Sequence, residues 1–154
     1  MFYHIFYPLS TDYSFLNVFK YITFRSAYSG ITALGLSLLL GKAMIGFLQK
    51  YQIREKIRED GPESHSVKTG TPTMGGLLIL STFILSTLLW ADLGNRYIWL
   101  IVLAGLGFGA LGYFDDVKKL KGSEGLTVQQ KLFFQLVLST AIGVYLIYFD
   151  PQRV

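Results

Sequence analysis

The chain has 154 residues, 51% hydrophobic and 16% aromatic, with a net charge of +4 and a mean hydropathy of +0.42. Charged residues make up 16%, well below the roughly 25% of soluble domains. Four long apolar stretches account for that deficit, which excludes a single water-soluble core and points to a polytopic membrane protein.

No cysteine is present, and the only histidines are His4 and His65. Disulfides and thiolate sites are therefore excluded, and zinc has little support. The basic residues gather in two loops beside apolar stretches, which argues for a lipid bilayer and against nucleic acid.

The first 19 residues carry no Lys or Arg, unlike the start of a secretory signal peptide. Their aromatics, Phe2, Tyr3, Phe6, Tyr7, Tyr13 and Phe15, suit a membrane interface. A first span is predicted over residues 22–48, uncharged between Arg25 and Lys42. A charged loop, 50–73, leads to a second span at 74–90. Trp90, Tyr97 and Trp99 flank the short connection to a third span at 98–114, as an aromatic belt would. A second charged loop, 115–131, precedes a fourth span at 132–149. Segments of about 17–18 residues cover about 26–27 Å, near the lower limit for crossing a bilayer. The predicted fold is all-α: one membrane domain over residues 1–154, with four transmembrane helices and a short interfacial N-terminal segment.

Orientation follows from charge. Lys50, Arg54, Lys56, Arg58 and Lys68 lie in the first loop, and Lys118, Lys119, Lys121 and Lys131 in the second. Lys20, Arg25, Arg96 and Arg153 lie on the other side. Nine against four, with Lys42 inside the first span left out, puts both loops in the cytoplasm and both termini outside.

Candidate chemistry collects on that cytoplasmic face. Asp115 and Asp116 are adjacent carboxylates at the C-terminal, partly negative end of the third span, and they call for a positive partner. A divalent cation is one candidate, and the neighbouring lysines Lys118, Lys119 and Lys121 are another. In the first loop, Gly70 and Pro72 break any helix extending from the first span. Thr73 is a predicted N-cap, and Gly75 and Gly76 permit close approach of a ligand or another backbone. A helix start at the membrane surface suits a phosphate, with Lys68 upstream to add a full charge. The plainer alternative is a glycine-rich turn entering the bilayer. His65 reads better as a hydrogen-bonding loop residue than as a general base. Lys131 reads as an interfacial anchor. Gly107-x-Gly109-x-x-Gly112 matches a dinucleotide fingerprint in form only, because it lies inside an apolar span. Gly105 and Gly109 read instead as a helix-packing face. Carboxylates with Mg²⁺ opposite a phosphate binder recur in phosphoryl transfer.

Several segments resemble the phospho-N-acetylmuramoyl-pentapeptide transferases, within the polyprenyl-phosphate N-acetylhexosamine-1-phosphate transferase superfamily. They are Phe19-x-Tyr-x-Thr-Phe-Arg25, Asp60-Gly-Pro-Glu-Ser-His65, Lys68-x-Gly-Thr-Pro-Thr-Met-Gly-Gly76, Gly112-Tyr-Phe-Asp-Asp116 with Lys119, and Gly125-Leu with Lys131 and Gln135. The resemblance implies transfer of phospho-N-acetylmuramoyl-pentapeptide from UDP-N-acetylmuramoyl-pentapeptide to undecaprenyl phosphate, giving lipid I and UMP, with Mg²⁺ as cofactor. It implies a part in peptidoglycan synthesis, and so in cell shape and division, at the bacterial inner membrane. By the same resemblance Asp115 and Asp116 are catalytic and metal-binding, one of them activating the lipid phosphate or attacking as a nucleophile. Lys68 and the Thr71–Thr73 turn, with Gly75 and Gly76, face phosphates, and Lys131 supports the lipid phosphate or the aspartates.

The family has about ten spans and further cytoplasmic loops with an essential aspartate, a nucleotide-binding segment and a histidine-rich motif. The four spans here are therefore expected to be an N-terminal part carrying half a site, inactive alone, with a homodimer compatible. The rival readings are an inactive helix-packing membrane module and, less favoured, a small ion-coupled transporter. Transporter sites usually lie nearer the bilayer midplane than this acidic pair does.

Overall fold

The computed structural model describes residues 1–50, 74–120 and 125–149. Among these residues the regular elements are all helical. They are α1 (Phe2–Phe6), two 3-10 segments (Pro8–Thr11 and Ser14–Lys20), α2 (Ile22–Lys50), α3 (Gly75–Trp90), α4 (Arg96–Leu120) and α5 (Val128–Tyr148). Helices α2, α4 and α5 are long and apolar enough to cross a membrane. Helix α3 is also apolar but shorter, with 16 residues, a rise of about 24 Å.

Many apolar residues of these helices are exposed. Leu38, Leu39, Leu103 and Leu136 are 62–77% exposed, whereas the buried hydrophobics among the described residues are Leu16, Leu48, Met74 and Val102. Water would penalise that surface, and hydrocarbon does not. The helices also keep their own backbone groups paired, as a bilayer requires.

Two helix ends depart furthest from the sequence expectation. Helix α4 runs on to Leu120, past the predicted end at residue 114. Asp115 and Asp116 are therefore helical rather than the start of a loop. Lys118 and Lys119 occupy the last turn, where positive charge offsets the negative helix end. Helix α5 begins at Val128 instead of residue 132 because Thr127 caps it. The Thr127 hydroxyl accepts the Gln130 N–H at 3.3 Å, and the Gln130 side chain accepts the Thr127 N–H at 3.2 Å. This reciprocal capping box satisfies two amides that would otherwise be orphaned.

The chain packs as two units, Met1–Met44 with Leu78–Val102, and Ile45–Leu77 with Leu103–Val154. In the first unit Trp90 gathers the N-terminal aromatics. Its ring centroid lies 5.1 Å from Phe2, 5.3 Å from Tyr28 and 6.0 Å from Phe19. Its indole N–H donates to the Thr32 hydroxyl at 2.9 Å, tying α3 to α2. The Arg25 guanidinium lies 4.3 Å over Tyr3, and His4 meets Asp92 at 3.1 Å. The Met1 ammonium donates to the Leu88 carbonyl at 2.8 Å, and burial, opposed by Asp92, pulls its pKa below the ordinary value. Trp90, expected at an aromatic belt, is half-buried and also anchors this cluster, while Trp99 remains 46% exposed. The α3–α4 connection is tight. Asp92 accepts the Gly94 N–H, Asn95 accepts the Tyr97 N–H as an N-cap would, and the Trp99 indole donates to Leu93.

In the second unit α4 and α5 approach closely at Gly107. A Cβ there would lie 2.7 Å from Leu138 Cδ2. Gly107 shows a close small-residue approach on this span, two residues from each of the glycines singled out for it.

Candidate functional site

The second unit holds the charged site, and Asp115 is its centre. Aspartate is rarely buried unless paired, yet Asp115 is only 7% exposed. Each of its oxygens is engaged. Oδ1 accepts the backbone N–H of Leu126 at 2.7 Å. Oδ2 takes two ammonium groups, Lys131 at 2.9 Å and Lys119 at 3.0 Å. The Lys119 pair is local, one helical turn along α4, whereas Lys131 reaches across from the first turn of α5. Lys119 also lies 4.0 Å from Asp116 Oδ1, linking the two carboxylates.

The turn before α5 is shaped to this carboxylate. Gly125 has φ +87, and a Cβ there would lie 2.6 Å from Asp115 Oδ1. Only glycine combines that left-handed backbone with that clearance. Leu126 and Thr127 then serve two purposes: one amide binds Asp115, and the threonine starts α5.

Sequence reasoning placed Asp115, Asp116 and Lys131 at one membrane face, and in the second unit the structure joins Asp115 to Lys131 directly. It missed the Leu126 N–H, which carries no side-chain signature. Lys119 was visible as a neutralising charge, but its pairing with Asp115 depends on the helix continuing past residue 114. Gly75 and Gly76 open α3, and a Cβ at either would meet nothing within 4 Å among the described residues. Just ahead of them Met74, 7% exposed, holds φ 72, a left-handed conformation that costs a non-glycine residue about 1–2 kcal/mol. Such strain often accompanies functional turns. His65, Lys68, Thr71 and Thr73 lie outside the described residues.

Mg²⁺ often takes one or two protein carboxylates, with substrate phosphates and water completing the shell. Among the described residues no three carboxylate or histidine groups gather. Asp115 fits poorly as a ligand, because a cation on Oδ2 would face two ammonium groups already there. Asp116, with its side chain 31% exposed, fits that single-carboxylate role.

Comparison with known proteins bears on this arrangement. Residues 68–80, from Lys68 through the start of α3, match phospho-N-acetylmuramoyl-pentapeptide-transferase signature 1. A phospho-N-acetylmuramoyl-pentapeptide-transferase of Citrifermentans bemidjiense is 52% identical over 150 residues, 96% of this chain and 42% of the relative. Proteins of the same name from a Geobacter species and from Pelobacter propionicus are 51% and 49% identical over 96% and 95% of this chain. The chain belongs to the phospho-N-acetylmuramoyl-pentapeptide-transferase family. It spans about two-fifths of the length of these relatives, 41–42%. Within the family chain, the Asp115–Lys131 pair sits beyond the matched signature, so its geometry adds information that the signature does not contain.

Proposed function

We propose that this chain supplies part of the cytoplasmic site for transfer of phospho-N-acetylmuramoyl-pentapeptide from its UDP-linked donor to undecaprenyl phosphate, giving lipid I and UMP for peptidoglycan synthesis. The observation that carries this reading is the Asp115 carboxylate holding Lys119 and Lys131 within 3.0 Å, beside the more exposed Asp116. Two ammonium groups fixed at one point suit an incoming phosphate, and both lysine side chains are partly exposed, 50% for Lys119 and 37% for Lys131.

In the transfer, an oxygen of undecaprenyl phosphate attacks the phosphorus attached to the sugar. The bond from that phosphorus to the bridging oxygen breaks, and UMP leaves with the electron pair. Lys131 and Lys119 orient the acceptor phosphate and offset its charge as the new pyrophosphate forms. Asp115 keeps both lysines in place. With its oxygens already engaged, it suits this supporting role better than nucleophilic attack. Asp116 would hold Mg²⁺, which when bound neutralises the donor pyrophosphate. Lys68, Thr71 and Thr73, with the α3 start at Gly75 and Gly76, would face the donor phosphates. In this reading α3 is a fourth crossing, both long loops are cytoplasmic, and both ends of this stretch face outward.

The test is Mg²⁺-dependent lipid I formation by the purified chain and by the same chain extended with the remaining part of a relative. Activity in the extended protein only is expected. Silence in both, with folding verified, would favour an inert helix-packing module. Ion flux in liposomes lacking donor would favour a transporter.

A further inference from the structure

We propose that Gly125 is a positioning residue for Asp115: its left-handed backbone and missing Cβ let the turn before α5 bring the Leu126 N–H onto Asp115 Oδ1, leaving Oδ2 aimed at Lys119 and Lys131. The proposal rests on the transferase reading for its consequence, but its geometry stands apart from it. Three observations converge. Gly125 has φ +87. A Cβ on it would meet Asp115 Oδ1 at 2.6 Å and Lys119 Cε and Cγ at 3.1 and 3.2 Å. The adjacent amide makes the 2.7 Å bond to the same oxygen.

Any side chain at 125 must therefore move the carboxylate, the lysine or the turn. The Asp115 oxygen cannot yield cheaply, since its displacement also breaks the Leu126 bond and redirects Oδ2. The Lys131 side chain is anchored one turn into α5, and the cap at Thr127 fixes where that helix starts. A shift at residue 125 thus passes to the lysine pair through Asp115. Displacements of about 1 Å in a positioning element cost up to about a hundredfold in rate.

Two substitutions separate backbone from space. Asn tolerates positive φ and Ala does not, but both introduce the Cβ. In the extended protein, G125A and G125N are each expected to lower kcat for lipid I formation about a hundredfold, with KM for the UDP-linked donor unchanged. G143A is the control, because among the described residues a Cβ at Gly143 meets nothing within 4 Å; it should retain full activity. In parallel, the Leu126 amide proton of the chain in detergent micelles should resonate far downfield, as an amide bound to a carboxylate does. It should lose that shift in Asp115→Asn and in both Gly125 variants.

Recovery of activity in G125N would overturn the role given to the Cβ clearance. Full activity in G125A would overturn the proposal. An unshifted Leu126 amide in the unsubstituted chain would overturn it without any Gly125 variant having to fold. If the unsubstituted extended protein made no lipid I, the transferase reading would fail, while the amide shift would still decide the geometry.

Discussion

Lys131 Nζ lies 2.9 Å from Asp115 Oδ2, joining the first turn of α5 to the last turns of α4 through a carboxylate that is almost wholly buried. A charge in that position is tolerated because it is matched. Breaking one side of such a pair leaves the other uncompensated.

Lys131→Met should therefore destabilise the fold by about 1–3 kcal/mol, less than for an isolated buried pair because Lys119 and Leu126 remain. Asp115→Asn combined with Lys131→Met should cost less than the sum of the single losses, as expected for residues in direct contact. Denaturant unfolding in detergent, followed by helix content, measures all three.

The close approach of α4 and α5 at Gly107 gives a second prediction. Gly107→Val places bulk against Leu138 and should cost about 1–3 kcal/mol. Gly143→Ala on α5 should be neutral or slightly stabilising, since its Cβ meets none of the described residues within 4 Å and helix propensity improves. Equal effects in the same unfolding assay would contradict the packing described.

Trp90 provides a third. Trp90→Ala empties the centre of the N-terminal aromatic cluster and should cost about 3–5 kcal/mol. Trp90→Phe keeps a ring but loses the bond to Thr32, at about 1 kcal/mol. Limited proteolysis within residues 1–20 should accelerate strongly in the first variant and little in the second.

Much of this was legible in the sequence. Apolar runs without charge located the helices, because hydrocarbon admits little else. Other features were hidden by the period of the pattern. Asp115-Asp-Val-Lys-Lys looks like loop by hydropathy, yet the Asp115 to Lys119 spacing is that of one helical turn, and the pair helps the helix continue. Thr127 and Gln130 form a capping box that could have been read three residues apart. That Phe2, Phe19 and Tyr28 gather on Trp90 is not visible in the sequence, because these residues lie far apart along the chain. The Leu126 amide is a backbone group, and its role depends on Gly125 lying against Asp115.

Metal dependence separates the two aspartates. EDTA should abolish lipid I formation by the extended protein, and added Mg²⁺ should restore it. Asp116→Asn should raise the Mg²⁺ concentration needed by about tenfold or more, a difference of about 1.4 kcal/mol. An equal shift in Asp115→Asn, with Asp116→Asn unaffected, would reverse the assignment of the ligand.

The most direct test of the Asp115–Lys131 arrangement is steady-state lipid I formation by the extended protein carrying Lys131→Met, with undecaprenyl phosphate varied. With this arrangement, kcat over KM for undecaprenyl phosphate should fall about a hundredfold or more, while KM for the UDP-linked donor stays as in the unsubstituted protein. Unchanged kinetics toward undecaprenyl phosphate in a folded Lys131→Met protein would contradict it.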